Sequence, residues 1–200
     1  MAFDVSKFRG KLTNDGARPN LFKVSIPNLT GFWAGNTDFE FFCRASQIPG
    51  ITIGTVPVNY FGRQVKLAGN KTYADWTVTV INDEDFAHRS QFEAWMNSIN
   101  TASGNLREGD GGATDYTQTC KVTQLSKLGS DTAARIYSLH YTFPTDLSPI
   151  TLDWGDNDTI EEYTVTFSFD YFSATTGAIT NGGTGPAVEG IVNDGFGGGE

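Results

Sequence analysis

Residues Tyr163–Phe172 alternate with a strict period of two, with Tyr163, Val165, Phe167, Phe169 and Tyr171 on one side and Thr164, Thr166, Ser168 and Asp170 on the other. Successive side chains of an extended strand point to opposite faces. The pattern therefore describes a strand with one apolar face on a core and one hydroxyl-rich face outside. It recurs along the chain. Trp76, Val78 and Val80 alternate with Thr77 and Thr79, and in Arg135–Phe143 the residues Tyr137, Leu139, Tyr141 and Phe143 oppose Ile136, Ser138, His140 and Thr142. Leu21–Ile26, Phe39–Ser46 and Thr117–Leu125 are shorter candidates. These segments predict a mainly β chain built of antiparallel sheets.

One helix is predicted. Asn82 stands as its N-cap, Asp83, Glu84 and Asp85 complement the positive helix end, and Phe92, Trp95, Met96 and Ile99 form one apolar stripe. Gly104 and the stretch 109–115 return the chain to loop. That stripe packs over the end of the sheet. His88 falls in the acidic, exposed part of this helix, and His140 lies on the hydroxyl-rich face of its strand.

The pattern changes over residues 48–71. Pro49, Gly50, Gly54, Pro57, Gly62 and Gly69 interrupt Ile51, Ile53, Val58, Phe61, Val65 and Leu67. Proline cannot donate to a sheet ladder, so this density of Pro and Gly indicates an edge or a projecting arm, whose apolar residues need a partner surface. A second change follows Phe172. Residues 173–200 are rich in Gly, Thr and Ala, contain no Lys or Arg, and end in GFGGGE. They form a linker-like extension to a domain spanning 1–172.

Charge and motifs exclude several function classes. Residues 1–100 hold 10 Lys/Arg and 9 Asp/Glu for a net +1, whereas residues 101–200 hold 4 and 14 for a net −10. Clustered cations of the kind that neutralise phosphates are absent, which argues against a DNA-gripping protein. No run approaches the roughly 18–20 apolar residues that span a bilayer, and the N-terminus lacks an apolar signal core. Cys43 and Cys120 are expected to be reduced and buried. A nucleophilic triad needs a base held by an orienting acid, and with only His88 and His140 to serve as base, no elbow motif supports one. The acidic run Asp153–Glu162 misses the spacing of a calcium-binding loop and reads as a turn through Gly155, Asp156, Asn157 and Asp158. No phosphate cradle, dinucleotide fingerprint or zinc spacing is present. The expectation is no enzyme, no metal and no cofactor.

In this order the segments Ala17–Phe22, Phe42–Ala45 with Ile48–Gly50, Ile53–Asn82, the helix up to Trp95, Phe143–Thr145, Leu152–Trp154 with Ile160–Glu161, and the strand to Tyr171 resemble the tail tube proteins of contractile-tailed, T4-like bacteriophages, particularly the longer versions of cyanophage relatives. The resemblance covers roughly residues 17 to 172. It implies two packed antiparallel sheets, a sandwich or partial barrel, flanked by one α-helix. It further implies a virion protein, made in the bacterial host cytoplasm, whose six copies close a ring. Rings would stack into a tube through which DNA passes unbound. The implied partners are the tail sheath, the tape-measure protein, the baseplate and the tail terminator. The resemblance places ring-stacking contacts on Ile51, Ile53, Tyr60, Phe61 and Arg63. Thr164, Thr166 and Ser168 are the candidates to face the lumen. Six copies at −9 would carry a formal −54, unattractive to DNA, as a conduit requires. The insert at 29–38 and the extension after Phe172 depart from the compact family pattern.

Two other readings compete. Tube proteins of type VI secretion systems or of extracellular contractile injection devices share the ring-stacking logic but deliver proteins. A monomeric β-sandwich carbohydrate-binding module would use Trp33, Trp76, Trp154 and Tyr60 as a stacking platform.

Overall fold

The computed structural model describes residues 4–12, 16–27, 39–107, 116–127 and 133–176. The elements in chain order are α1 Val5–Lys11, β1 Phe22–Ser25, α2 Phe39–Phe42, β2 Cys43–Ser46, β3 Ile51–Tyr60, β4 Arg63–Tyr73, β5 Trp76–Ile81, α3 Ala87–Ile99, β6 Gln118–Leu125, β7 Ala133–Leu147, β8 Glu162–Ser168 and β9 Tyr171–Thr176. The insert at 29–38 and the extension from 177 onward lie outside the described residues.

The body is a mainly β, antiparallel assembly in the strand order β1-β6-β7-β8-β5-β2, with β9 also paired to β7. The 15-residue β7 belongs to both halves. Its first part, Arg135–His140, pairs with β9, while Phe143–Leu147 pairs with β8. The switch occurs at Tyr141, which takes φ +57, and the β6 register shifts at the same level between Gln118 and Cys120. An irregularity of this kind bends a strand so that it can leave one sheet for another. It also reverses the predicted alternation. Tyr141 is 45% exposed and Thr142 is fully buried, because the left-handed residue shifts the alternation by one position before a second register shift between Pro144 and Asp146.

Elsewhere the period-2 pattern decides the packing. Trp76, Val78 and Val80 of β5 and Tyr163, Val165 and Phe167 of β8 all face the core. Phe167 sits at its centre, with the ring centroids of Trp76, Phe92 and Trp95 at 5.0, 6.0 and 6.1 Å. Each such buried aromatic contributes about 1.5–3 kcal/mol from apolar burial. Helix α3 covers this core through Phe92 and Trp95, and the Trp95 indole donates to the Tyr116 carbonyl at 2.8 Å.

Four expectations change. The strand over Tyr163–Phe172 is two strands, β8 and β9, broken at Phe169–Asp170, so Ser173–Thr176 continue in the sheet instead of starting a linker. Phe39–Phe42 is a helical turn leading into β2, with Phe39 buried against Phe92. Helix α3 begins at Ala87, not after Asn82, because Asn82 extends the β5–β8 ladder: its backbone N–H donates to the Glu161 carbonyl and its side-chain amide to Glu161 Oε2, both at 2.8 Å. The N-cap position falls to Phe86, at φ +55 and without a side-chain cap, and Asp85 before it closes a local turn by accepting from the Ala87 N–H at 3.0 Å. His88, expected outside, is buried against Phe39 and Phe42, because it stands four residues before Phe92 and seven before Trp95, on the same face of the helix.

Candidate functional site: an unpartnered hairpin and a hydroxyl face

Strands β3 and β4 form a two-stranded sheet of their own, in register from Ile51↔Tyr73 to Tyr60↔Arg63. The turn residues Phe61 and Gly62 take φ +44 and +74. Positive φ at both central positions is the hairpin turn whose twist matches that of the strands. Asn-Gly is its favoured sequence, and a bulky aromatic at the first position is strained. That strain is held at the most exposed apolar side chain of the hairpin, Phe61, 89% accessible with Tyr60 packed edge-on at 4.6 Å.

Midway along the ribbon the register shifts between Ile53 and Thr55. Gly69 and Asn70 together oppose Gly54, and a Cβ on Gly69 would lie 3.0 Å from the Gly54 carbonyl oxygen, so any larger residue would have to push the two backbones a few tenths of an ångström apart. Outside the bulge, the cross-strand pairs Val56–Leu67 and Val58–Val65 lie on one face with Tyr60 and Arg63, and Thr55, Pro57, Asn59, Gln64 and Lys66 on the other. Counting by twos along β3, Ile51 and Ile53 fall on the face opposite Val56, Val58 and Tyr60. Val56, Val58, Val65 and Leu67 are each about half exposed. An isolated ribbon of this kind is marginal in water, so its apolar face calls for a partner.

Of the five residues expected to make stacking contacts, Tyr60, Phe61 and Arg63 come together at the tip, whereas Ile51 and Ile53 lie near the base. Val58, Val65 and Leu67, named from sequence among the arm's apolar residues, join Val56 in one continuous face that the alternation alone does not separate from Ile51 and Ile53. Its signal lies in the alternation on both sides of Phe61–Gly62, once those two residues are taken as the turn.

Thr164, Thr166 and Ser168 stand on the outer face of β8, half-buried, opposite Thr79, Thr77 and Phe143. Glu162 shares that face and pairs with Arg44 at its edge. The result is a sheet surface of hydroxyls, with Asp146 opposite Thr166.

The groups with titration or nucleophilic potential are held in packed or stacked positions. Cys43 and Cys120 are buried free thiols, each pushed up to about 12 by burial. His140 stacks on Tyr171 at 4.7 Å with its Nε2 3.0 Å from Ser173 Oγ, and partial burial lowers its pKa. Trp76 is fully buried, whereas Trp154 is fully exposed in the 148–161 loop, and Trp33 lies outside the described residues. Tyr60 stands at the tip of the separate β3–β4 ribbon, Trp154 in the 148–161 loop and Trp76 in the core, so these three described aromatics are not gathered into one sugar-stacking platform.

The family described as phage tail tube protein matches residues 16–175. The chain is 34% identical over 160 residues to tail tube protein gp19 of Enterobacteria phage T4, covering 80% of this chain and 93% of that one. It belongs to the phage tail tube protein family. Members are structural components of the virion tail. Among solved structures, a chain of the anti-feeding prophage (AFP) baseplate superposes with TM-score 0.57 at 15% identity, covering 80% of this chain and 95% of that one. A chain of the sheath-tube complex of the extracellular contractile injection system PVC gives TM-score 0.52 at 17% identity, covering 88% and 99%. At these identities the likeness is one of fold.

Proposed function

We propose that six copies of this tail tube protein close into a ring and that rings stack into the inner tube of a contractile tail, the conduit through which DNA leaves the particle. One observation carries the reading: the Ile51–Tyr73 hairpin is an apolar ribbon that pairs only with itself among the described strands. A tube supplies what it lacks, because stacking covers the apolar face and assembly pairs open edges. The hairpin, through Tyr60, Phe61 and Arg63 with Val56 and Leu67, makes the contact between rings. Ile51 and Ile53 act nearer the body.

The hydroxyl face of Thr164, Thr166 and Ser168 lines the lumen in this reading. A neutral to acidic wall offers no cations for phosphates to displace counterions onto, so DNA slides without being held. The sheath packs outside, the tape-measure protein occupies the lumen before ejection, and baseplate and terminator proteins close the two ends. Identity of 34% to a phage tail tube protein, against 15–17% for chains of injection devices, favours DNA over protein effectors as cargo.

Negative-stain electron microscopy across a concentration series, with and without purified baseplates, tests the proposal. Hollow tubes or six-fold rings are the expected result. A 21.7 kDa monomer under every condition, nucleating baseplates included, would sink it.

A further inference from the structure

A surface complementary to the hairpin lies at the far end of the larger sheet, which its base joins through β5. At the hairpin base Ala74 N–H donates to the Gly50 carbonyl at 3.4 Å, and the next strand begins where Trp76 pairs with Phe167. The loop 148–161 is tied to the other end, where Ile81 pairs with Glu162 and Asn82 N–H donates to the Glu161 carbonyl at 2.8 Å. The six residues of β5, roughly 20 Å of strand, separate the two.

Their chemistry is opposite in charge and alike in exposed apolar surface. The hairpin carries Arg63, Lys66 and Lys71 and no Asp or Glu. The loop carries Asp153, Asp156, Asp158 and Glu161 and no Lys or Arg. Leu152, Trp154 and Ile160 are 77, 101 and 72% exposed, around an open depression of about 380 Å³. The loop has a shaped turn, since Asp153 Oδ1 accepts from the Gly155 N–H at 2.8 Å.

We propose that this loop is the socket for the hairpin tip of a second copy of the chain in the adjacent ring. The proposal rests on the tube reading. Surfaces at opposite ends of one chain meet only between copies, and such a head-to-tail contact is heterologous, so it propagates along an axis. Burying Trp154 and Phe61 supplies the attraction, and Arg63 can lie over the indole face. The charge pairs set direction and suppress the reversed, like-charged contact. An acidic loop repels phosphate, which argues against nucleic acid as its occupant.

Zero-length carbodiimide crosslinking of tubes assembled from mixed heavy- and light-isotope protein tests this directly. Amide bonds from Lys66, which lies near the tip opposite Pro57, to an acid within 153–162 of a different copy are expected. A benzophenone side chain at position 61 should label the same segment. As a second measurement, Asp156→Lys with Asp158→Lys, both on exposed positions, should raise the critical concentration for assembly about tenfold, and adding Arg63→Glu with Lys66→Glu should restore it. Tubes whose crosslinks fall outside the loop, or a charge exchange without rescue, would overturn the socket and leave the tube reading intact. Wild-type protein that forms no tubes even on baseplates would overturn both.

Discussion

Trp76 donates its indole N–H to Ser46 Oγ across 3.0 Å, joining β5 to β2 at the end of the sheet from which the hairpin leaves. The ring is fully buried and lies 5.0 Å from Phe167 at an interplanar angle of 31°. The hairpin is therefore joined to the aromatic core through β5, although its tip residues Tyr60, Phe61 and Arg63 are exposed and stand apart from that core. Trp76→Phe removes the donor and part of the ring, and should lower stability by about 1–3 kcal/mol. Trp76→Ala should cost about 3–5 kcal/mol. Urea denaturation of the monomer checks both, and an unchanged midpoint for the Phe variant would show that the bond to Ser46 contributes nothing.

Phe61 combines a backbone cost with an exposed ring, and two substitutions separate them. Asn accepts the left-handed conformation readily, so Phe61→Asn should leave the monomer as stable as the parent or up to about 1 kcal/mol more stable. Phe61→Asp should also fold. Both should lose ring stacking while keeping ring closure. Thermal melts paired with electron microscopy read the two effects separately, and long tubes formed by either variant would remove Phe61 from the stacking contact.

The strands whose parity was legible are those where every residue keeps an extended backbone, such as β5 and β8, where Trp76, Val78, Tyr163, Val165 and Phe167 all point inward as alternation requires. Parity fails in β7 after Tyr141, because no residue type there announces a left-handed backbone. Asn82 misled for a different reason. Its capping chemistry is real, but the amide is committed to Glu161 across the sheet, a contact 79 positions away that no local window contains. The hairpin was readable from Pro57, Gly62 and Gly69. Its turn was obscured because Phe stands where Asn is favoured. The lumen face depends on neighbouring copies, so a single sequence carries only its hydroxyl pattern.

Acid should weaken the fold partly through His140. Partial burial pushes its pKa below the ordinary 6.5, so in acid the native state binds fewer protons than the unfolded chain. This contribution is fully present above about pH 6.5 and is lost as the pH falls through the lowered native value. His140→Gln should therefore show a smaller drop in urea midpoint between pH 7.5 and pH 5.5 than the parent. An identical drop would assign all of the acid sensitivity to other groups. The side chain is only partly buried, so the difference should be modest.

Thr166 tests the lumen assignment. It stands opposite Thr77 in the middle of the hydroxyl face, half-buried but with its side chain directed away from the core. Thr166→Arg should therefore be tolerated by the monomer, with an unchanged melting temperature. If the face lines the lumen, six added cations per ring, repeated along the tube, would bind phosphates and release counterions. Ejection from reconstituted particles should then slow, and should recover steeply as salt rises. Ejection rates that match the parent across a salt series would place Thr166 elsewhere. A uniform slowing without salt dependence would point to a steric obstruction instead, because narrowing a passage does not depend on counterions.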